Sequence, residues 1–216
     1  MVSVPPMDLT ALAPLLEETA RARCTDDPAH DWLHVRRVVA NARTIAAAEG
    51  ADRAVCETAA LLHELFNHPK GHPESHRSGE VCAEHARALL REHGAAEHHV
   101  EAVGYAIAVH PFSLGVTPTT LEARVLQDAD RLDAIGAIGL ARCFATCASL
   151  RRPFYDPDDP FCDHRAPDDK LWGVDHVYKK LLKLRDGMHT ATGRAMAARR
   201  NEVIERFMDD LRAEIG

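Results

Sequence analysis

The sequence has no apolar run near the roughly 18–20 residues that a membrane span requires, which argues against a membrane protein. It has no C-x-x-C pair. Its six cysteines, Cys24, Cys56, Cys82, Cys143, Cys147 and Cys162, are scattered through Ala-rich segments and read as free, mostly buried thiols. Apolar and polar residues nowhere alternate over a useful length, so no segment is a candidate strand. Positive charge is short as well: 26 Lys and Arg stand against 33 Asp and Glu, a net charge of −7. Such a surface is poorly suited to grip a nucleic acid polymer by its phosphates, although a local cation or metal still suits a small nucleotide. Several catalytic signatures are missing too: no P-loop, no G-x-G-x-x-G after a strand, no H-E-x-x-H and no G-x-S-x-G. "HELFNH" begins like a zinc-protease helix, but its second histidine comes five residues on and falls about 100° off the required face. The opening 24 residues lack the basic-then-apolar layout of a signal peptide, so the expected location is the cytoplasm.

The 216 residues, 46% apolar and 27% charged, have the composition of an ordinary globular chain long enough for one substantial core. The expectation is a single all-α domain over 1–216, with a motif-bearing core at about 25–150 and a C-terminal loop and helices over 151–216. A first helix is predicted from about Asp8 to Cys24, and a second over "LHVRRVVANARTIAAAEG", stopped by Gly50. A third runs over "DRAVCETAALLHELF", with Asp52 as its cap, before the two prolines of "NHPKGHPESH". Two more follow in "RSGEVCAEHARALLREHG" and "AAEHHVEAVGYAIAVH". A long segment from Leu121 to Leu150 is expected to bend near Gly136 and Gly139. The Pro- and Asp-rich stretch 151–175 reads as a loop that contributes to substrate choice. Helices over about 175–185 and 190–215 close the chain.

Histidine is over-supplied, with 14 residues. The adjacent His63 and Glu64 lie in otherwise apolar surroundings, where an unsatisfied polar group is costly. His34 sits among Leu33, Val35, Val38 and Val39, and Asp128, Asp130 and Asp133 interrupt what otherwise reads as core. Buried charges are rarely tolerated unless paired or metal-bound, so three such segments converging on one metal ion account for all of them. The plainer alternatives are a core histidine at His34 and, for Asp128 and Asp133, capping or pairing with Arg124 and Arg131. Cys143, Cys147, Cys162 and His164 offer a separate structural zinc site, with spacing unlike the usual knuckles.

"HVRRV", then "LLHEL", then "LQDADRLDAIGAIGLAR" resemble the HD-domain metal-dependent phosphohydrolases, whose pattern is H…HD…D. The likeness is closer to a bacterial branch of small cytoplasmic HD hydrolases. There the doublet is followed by an Asn-x-Pro-Lys-x-His-Pro loop, here "NHPKGHPESH", and the last motif reads Gln-Asp-Ala-Asp-Arg-Leu. The ordered motifs span roughly 25–150, and the closing "LLKLRDGMHTATGRAMAARR" is similar to that branch as well. Carried over position by position, the resemblance implies an all-α fold and a divalent cation (Mn, Mg, Fe, Co, Ni or Zn, with Mn favoured) held by His34, His63, Glu64 and Asp130. The literal His30-Asp31 is not that doublet; Asp31 is better placed as a helix N-cap. This chain departs from the pattern at position 64, where Glu replaces Asp and moves the carboxylate by about 1 Å.

The resemblance further implies hydrolysis of a phosphoester or phosphoanhydride bond in a small phosphorylated substrate. A nucleotide cut to a monophosphate and pyrophosphate or phosphate is the leading expectation. Lys70 and Arg77 flank the loop after the doublet and are candidates to meet phosphoryl charge; Lys179 and Lys180 are further local positive points. His76 and His110 are candidates for acid, phosphate donor or second ligand, His110 within the family's His-x-Phe-Ser pattern. Asp133, one turn past Asp130, is a candidate to orient water. A cyclic-nucleotide phosphodiesterase and a sugar-phosphate phosphatase share this chemistry. From another class, Glu64 raises a catalytically silent, metal-containing regulatory module, and a metal-free helical protein is a third reading.

Overall fold

A computed structural model describes residues 6–25, 30–68 and 72–216. Among the described residues there are nine α-helices and no strand, apart from one isolated bridge between Met7 and Ala95. The chain is therefore all-α. No single described helix is long and apolar enough to cross a membrane. The contacts group the chain into two compact units, residues 1–130 and 131–216.

In the first unit, α1 (Leu9–Arg23) is capped by Asp8, whose carboxylate accepts from the Thr10 N–H at 3.0 Å. It turns Leu9, Leu12 and Leu16 inward and leaves Leu15 exposed. Helix α2 (Trp32–Glu49) begins where Asp31 accepts from the His34 N–H at 2.8 Å and ends at Gly50 in the left-handed conformation. Helix α3 (Arg53–Leu62) packs against α1, α2 and α5 (Glu97–Val109), and α4 (Ser78–Glu92) packs against α5. The small side chains of Ala59 and Ala60 on α3 are fully buried, as befits a helix with neighbours on several sides.

Helix α3 is shorter than its apolar run predicts. It stops at Leu62, so His63 and Glu64 lie in the turn that ends it rather than inside a helix through Phe66. The Leu65 N–H bonds to the Leu62 carbonyl at 3.2 Å in a tighter turn. The buried Cys82 thiol on α4 donates toward the carbonyls of Leu62 and His63 at 3.4 and 3.2 Å. These contacts satisfy groups that a continued helix would otherwise have had to bond.

Helix α6 runs from Leu121 to Asp133. Within the first unit it is tied down at two points. Asn41 on α2 donates to the Ala129 carbonyl at 3.0 Å, and Gln127 donates to the carbonyls of Val109 and Val116 at 3.0 and 3.1 Å. These bonds fix the height of Asp130 against α2 and hold the end of α5, where His110 sits.

In the second unit, α7 (Gly136–Ser149) packs against α8 (Gly173–Lys179) and α9 (Ala191–Ile215). The expected break in the Leu121–Leu150 segment falls at residues 134–135, and Gly136 adopts φ 74°, which favours glycine. A Cβ at Gly139 would lie 2.3 Å from the Ala134 carbonyl oxygen, a backbone atom that cannot swing aside. Gly139→Ala is therefore expected to cost about 1–3 kcal/mol as an overpacking change, read as a lower denaturation midpoint at unchanged slope. The first closing helix is also interrupted. After α8 the chain forms a 3-10 segment, Leu181–Gly187, whose buried Leu181 and Leu184 are three apart and so stack on one side.

Candidate metal centre

Four side chains of the first unit face one point. Asp31 pins the start of α2, which places His34 in its first turn, fully buried. The turn after α3 presents His63 and Glu64 together, and α6 presents Asp130. His34 Nε2 lies 3.2 Å from His63 Nε2, 3.6 Å from Asp130 Oδ1 and 3.7 Å from Glu64 Oε1. His63 Nε2 is 3.9 Å from the same glutamate oxygen. Ligands held about 2.1 Å from one ion stand roughly 3.0–3.4 Å apart, and these four separations lie within about half an ångström of that range.

The protonation pattern suits a cation. His63 Nδ1 is 2.7 Å from the Ala60 carbonyl, which can only accept, so Nδ1 carries the proton and Nε2 presents its lone pair inward. Burial pushes the His63 imidazole down to about 4, so it is neutral near pH 7. Burial acts against ionisation of Glu64. The His30 hydrogen bond and the nearby imidazoles outweigh it and hold that carboxyl down at about 2. Asp130 behaves alike: burial opposes the charge, while His34, His63 and His110 more than offset it, so its carboxyl lies below the ordinary value. Two carboxylate oxygens and the His63 lone pair, all near His34, form a donor set for a divalent cation.

The remaining candidates fall in different places. His110 caps α5, its Nδ1 donating to the Ile107 carbonyl at 2.6 Å, and its ring stands edge-on to His63 with centroids 5.3 Å apart. His76 is exposed in a short 3-10 turn, with Nδ1 3.2 Å from the Pro73 carbonyl. Arg77 is exposed between Glu74 and Glu80, at 3.2 and 3.3 Å. Lys70 lies outside the described residues.

In the second unit, the buried Asp133 carboxylate pairs with Arg142 at 2.7 Å. Lys179 pairs with Asp169 at 2.6 Å. Cys143, Cys147, Cys162 and His164 do not come together as a ligand group among the described residues. Cys143 instead donates toward the Gly173 carbonyl at 3.6 Å.

One residue near the centre is absent from the sequence-based set. His30 Nδ1 is 2.7 Å from Glu64 Oε1, and the His30 and His34 rings lie 5.7 Å apart. His30, His34 and Glu64 also form a group whose donor atoms are all within 4.8 Å of one another. His30 precedes the Asp31 cap and lies outside α2, so no helical spacing in the sequence marks it. The dipeptide thus divides its work: Asp31 caps α2 while His30 faces the cluster.

Comparison with known proteins identifies the family. A model of the family described as "HD domain" matches residues 32–135, the span that holds all four clustered side chains. The Bacillus subtilis protein YpgQ is 32% identical over 190 residues, covering 86% of this chain and 84% of YpgQ. The crystal structure of YpgQ in complex with ADP superposes with a TM-score of 0.76 at 30% identity, covering 96% of this chain and 97% of that one. The structure of an HD-superfamily hydrolase from Bacillus thuringiensis matches with a TM-score of 0.70 at 30% identity, over 95% of each chain.

Proposed function

The chain belongs to the HD domain family, and on that premise we propose that it is a metal-dependent phosphohydrolase acting on a small phosphorylated substrate, most readily a nucleotide. The observation that carries this reading is the approach of His63, Asp130 and Glu64 to within 3.2–3.7 Å of the buried His34 Nε2, with His63 neutral and both carboxyls held below their ordinary values. These four residues are the proposed ligands. A divalent cation held there, with Mn²⁺ as the favoured ion, supplies positive charge that polarises a phosphoryl group and makes water more acidic.

His110 is the proposed acid or phosphate donor beside the cluster. Its Nδ1 proton is held by Ile107, which fixes the ring and leaves Nε2 as the working nitrogen. Lys70, His76 and Arg77 are proposed to meet phosphoryl charge from the loop after the doublet; Arg77 exchanges its exposed carboxylate partners for phosphate at little cost. Asp133, fixed by Arg142, is proposed to act on water or ligands only through the position it gives α6. Support for a nucleotide comes from the ADP bound to the similar YpgQ and from the chain's overall negative charge, which disfavours a polyanionic polymer.

The test is incubation with Mn²⁺ and a panel of nucleoside mono-, di- and triphosphates, cyclic nucleotides and sugar phosphates, with products separated by chromatography. The expected result is release of a monophosphate from a nucleotide, absent in a His34→Ala control. Turnover that survives His34→Ala would place the chemistry elsewhere, and a sugar phosphate as the only substrate would replace the nucleotide reading.

A further inference from the structure

We infer that His30 is a positioning residue that lets glutamate serve where the family pattern has aspartate, by holding the longer Glu64 carboxylate at the metal centre. The inference rests on the metal reading above and adds a fifth residue to it.

A carboxylate can only accept, so the proton in the 2.7 Å contact belongs to His30 Nδ1, and His30 donates. The oxygen it grips, Oε1, is the same one that faces His34 and His63 at 3.7 and 3.9 Å. Both exceed the roughly 3.0–3.4 Å between ligands of one ion, so the reach of Glu64 to the centre depends on how its carboxylate is held. Its side chain has one more rotatable bond than aspartate, and the hydrogen bond removes that freedom.

His30 is itself well fixed. Asp31 caps α2 immediately after it, and the His30 ring stands edge-on to that of His34 with centroids 5.7 Å apart. An aspartate at position 64 would withdraw its carboxylate by about 1 Å or more. It would then lie beyond a 2.7 Å contact with His30. The partnership is therefore specific to glutamate.

The test is a double-mutant cycle read by Mn²⁺ affinity in calorimetry, on full-length chains whose fold without metal is checked by circular dichroism. His30→Ala is expected to weaken Mn²⁺ binding about 10–100-fold, the usual cost of losing a partner of a metal ligand. His30→Asn places an amide N–H close to where Nδ1 was and should hold affinity within about threefold of the parent. In a Glu64→Asp background, His30→Ala should change affinity by less than about threefold, because the shorter carboxylate makes no contact to lose. Three results would overturn the role given to His30 while leaving the metal reading intact: unchanged affinity in His30→Ala, an equal loss in both backgrounds, or a His30→Asn chain as weak as His30→Ala. A parent chain that binds no Mn²⁺ would overturn both readings.

Discussion

An Asp130→Ala chain will lose its thermal response to Mn²⁺ and, with it, hydrolysis. If the four clustered side chains hold one ion, binding stabilises only the folded state. At a free Mn²⁺ concentration about 100 times the dissociation constant, that adds about 2.7 kcal/mol. For a chain of this size, each kcal/mol moves the melting temperature by roughly 2–4 °C, so the parent should gain about 5–10 °C.

Asp130 supplies one of only two anionic ligands in the cluster. Without it the site keeps two imidazoles and one carboxylate, and the shift should fall to within error of zero at the same Mn²⁺ concentration. Turnover should drop by more than about 10³-fold, since the charge that stabilises the developing phosphoryl oxygens is lost together with the ion. Damage to the fold is a poor rival explanation. Asp130 lies in the last turn of α6 and is partly exposed, and alanine is the best helix former. The metal-free melting temperature should therefore move little. A full Mn²⁺ response in Asp130→Ala would remove Asp130 from the ligand set and favour the His30, His34 and Glu64 group instead.

What could be read from the sequence divides along the range of the interactions involved. The ends of α2 were legible because the signals are local: Asp31 bonds a backbone N–H three residues on, and Gly50 supplies the left-handed turn. The break before Gly136 was legible for the same reason. The polar residues that α2, the α3 turn and α6 set in apolar surroundings also marked the centre, because burying charge without a partner is too costly to be incidental.

The end of α3 was not legible. "LLHELF" keeps helical spacing straight through, and the turn that ends the helix is bonded by a thiol about twenty residues away on α4. The His30–Glu64 contact spans 34 residues, and no local pattern announces it. Asp133 illustrates the same limit: its partner Arg142 lies nine residues on, across the break at residues 134–135.

The largest loss of stability is expected from Asp175→Ala. The stretch 151–175 reads in sequence as a loop shaped for substrate, but its charges are also spent on holding the stretch together. Arg165 forks onto the fully buried Asp175 carboxylate, with Nη2 at 2.9 Å from Oδ1, and its Nε lies 3.3 Å from Asp156. The Asp168 N–H donates to Asp175 at 2.6 Å, and the Cys162 thiol bonds to it as well. Cys162 sits at φ 57°, a strained backbone that needs such a partner to persist. At the far side of the stretch, Arg212 of α9 clasps Asp163 at 2.8 and 3.1 Å.

Removing Asp175 strips three residues, Arg165, Asp168 and Cys162, of one acceptor and leaves a guanidinium only 25% exposed without its main partner. Breaking a buried pair in this way costs about 3–5 kcal/mol, against a total stability of roughly 5–15 kcal/mol. The pH dependence gives the check. Burial works to raise the Asp175 carboxyl, but Arg165, the Asp168 N–H and Cys162 hold it below its ordinary value. The folded chain therefore binds this proton less readily than the unfolded chain does. The stabilisation is complete above the unfolded carboxyl pKa of about 3.9 and is lost as the pH falls through the lower folded value.

In urea titrations, the gap in unfolding free energy between parent and Asp175→Ala should be full at pH 6 and should narrow steadily below pH 4. A gap that stays constant to the lowest pH at which the parent still folds would mean that packing, not the charge on Asp175, holds the stretch in place.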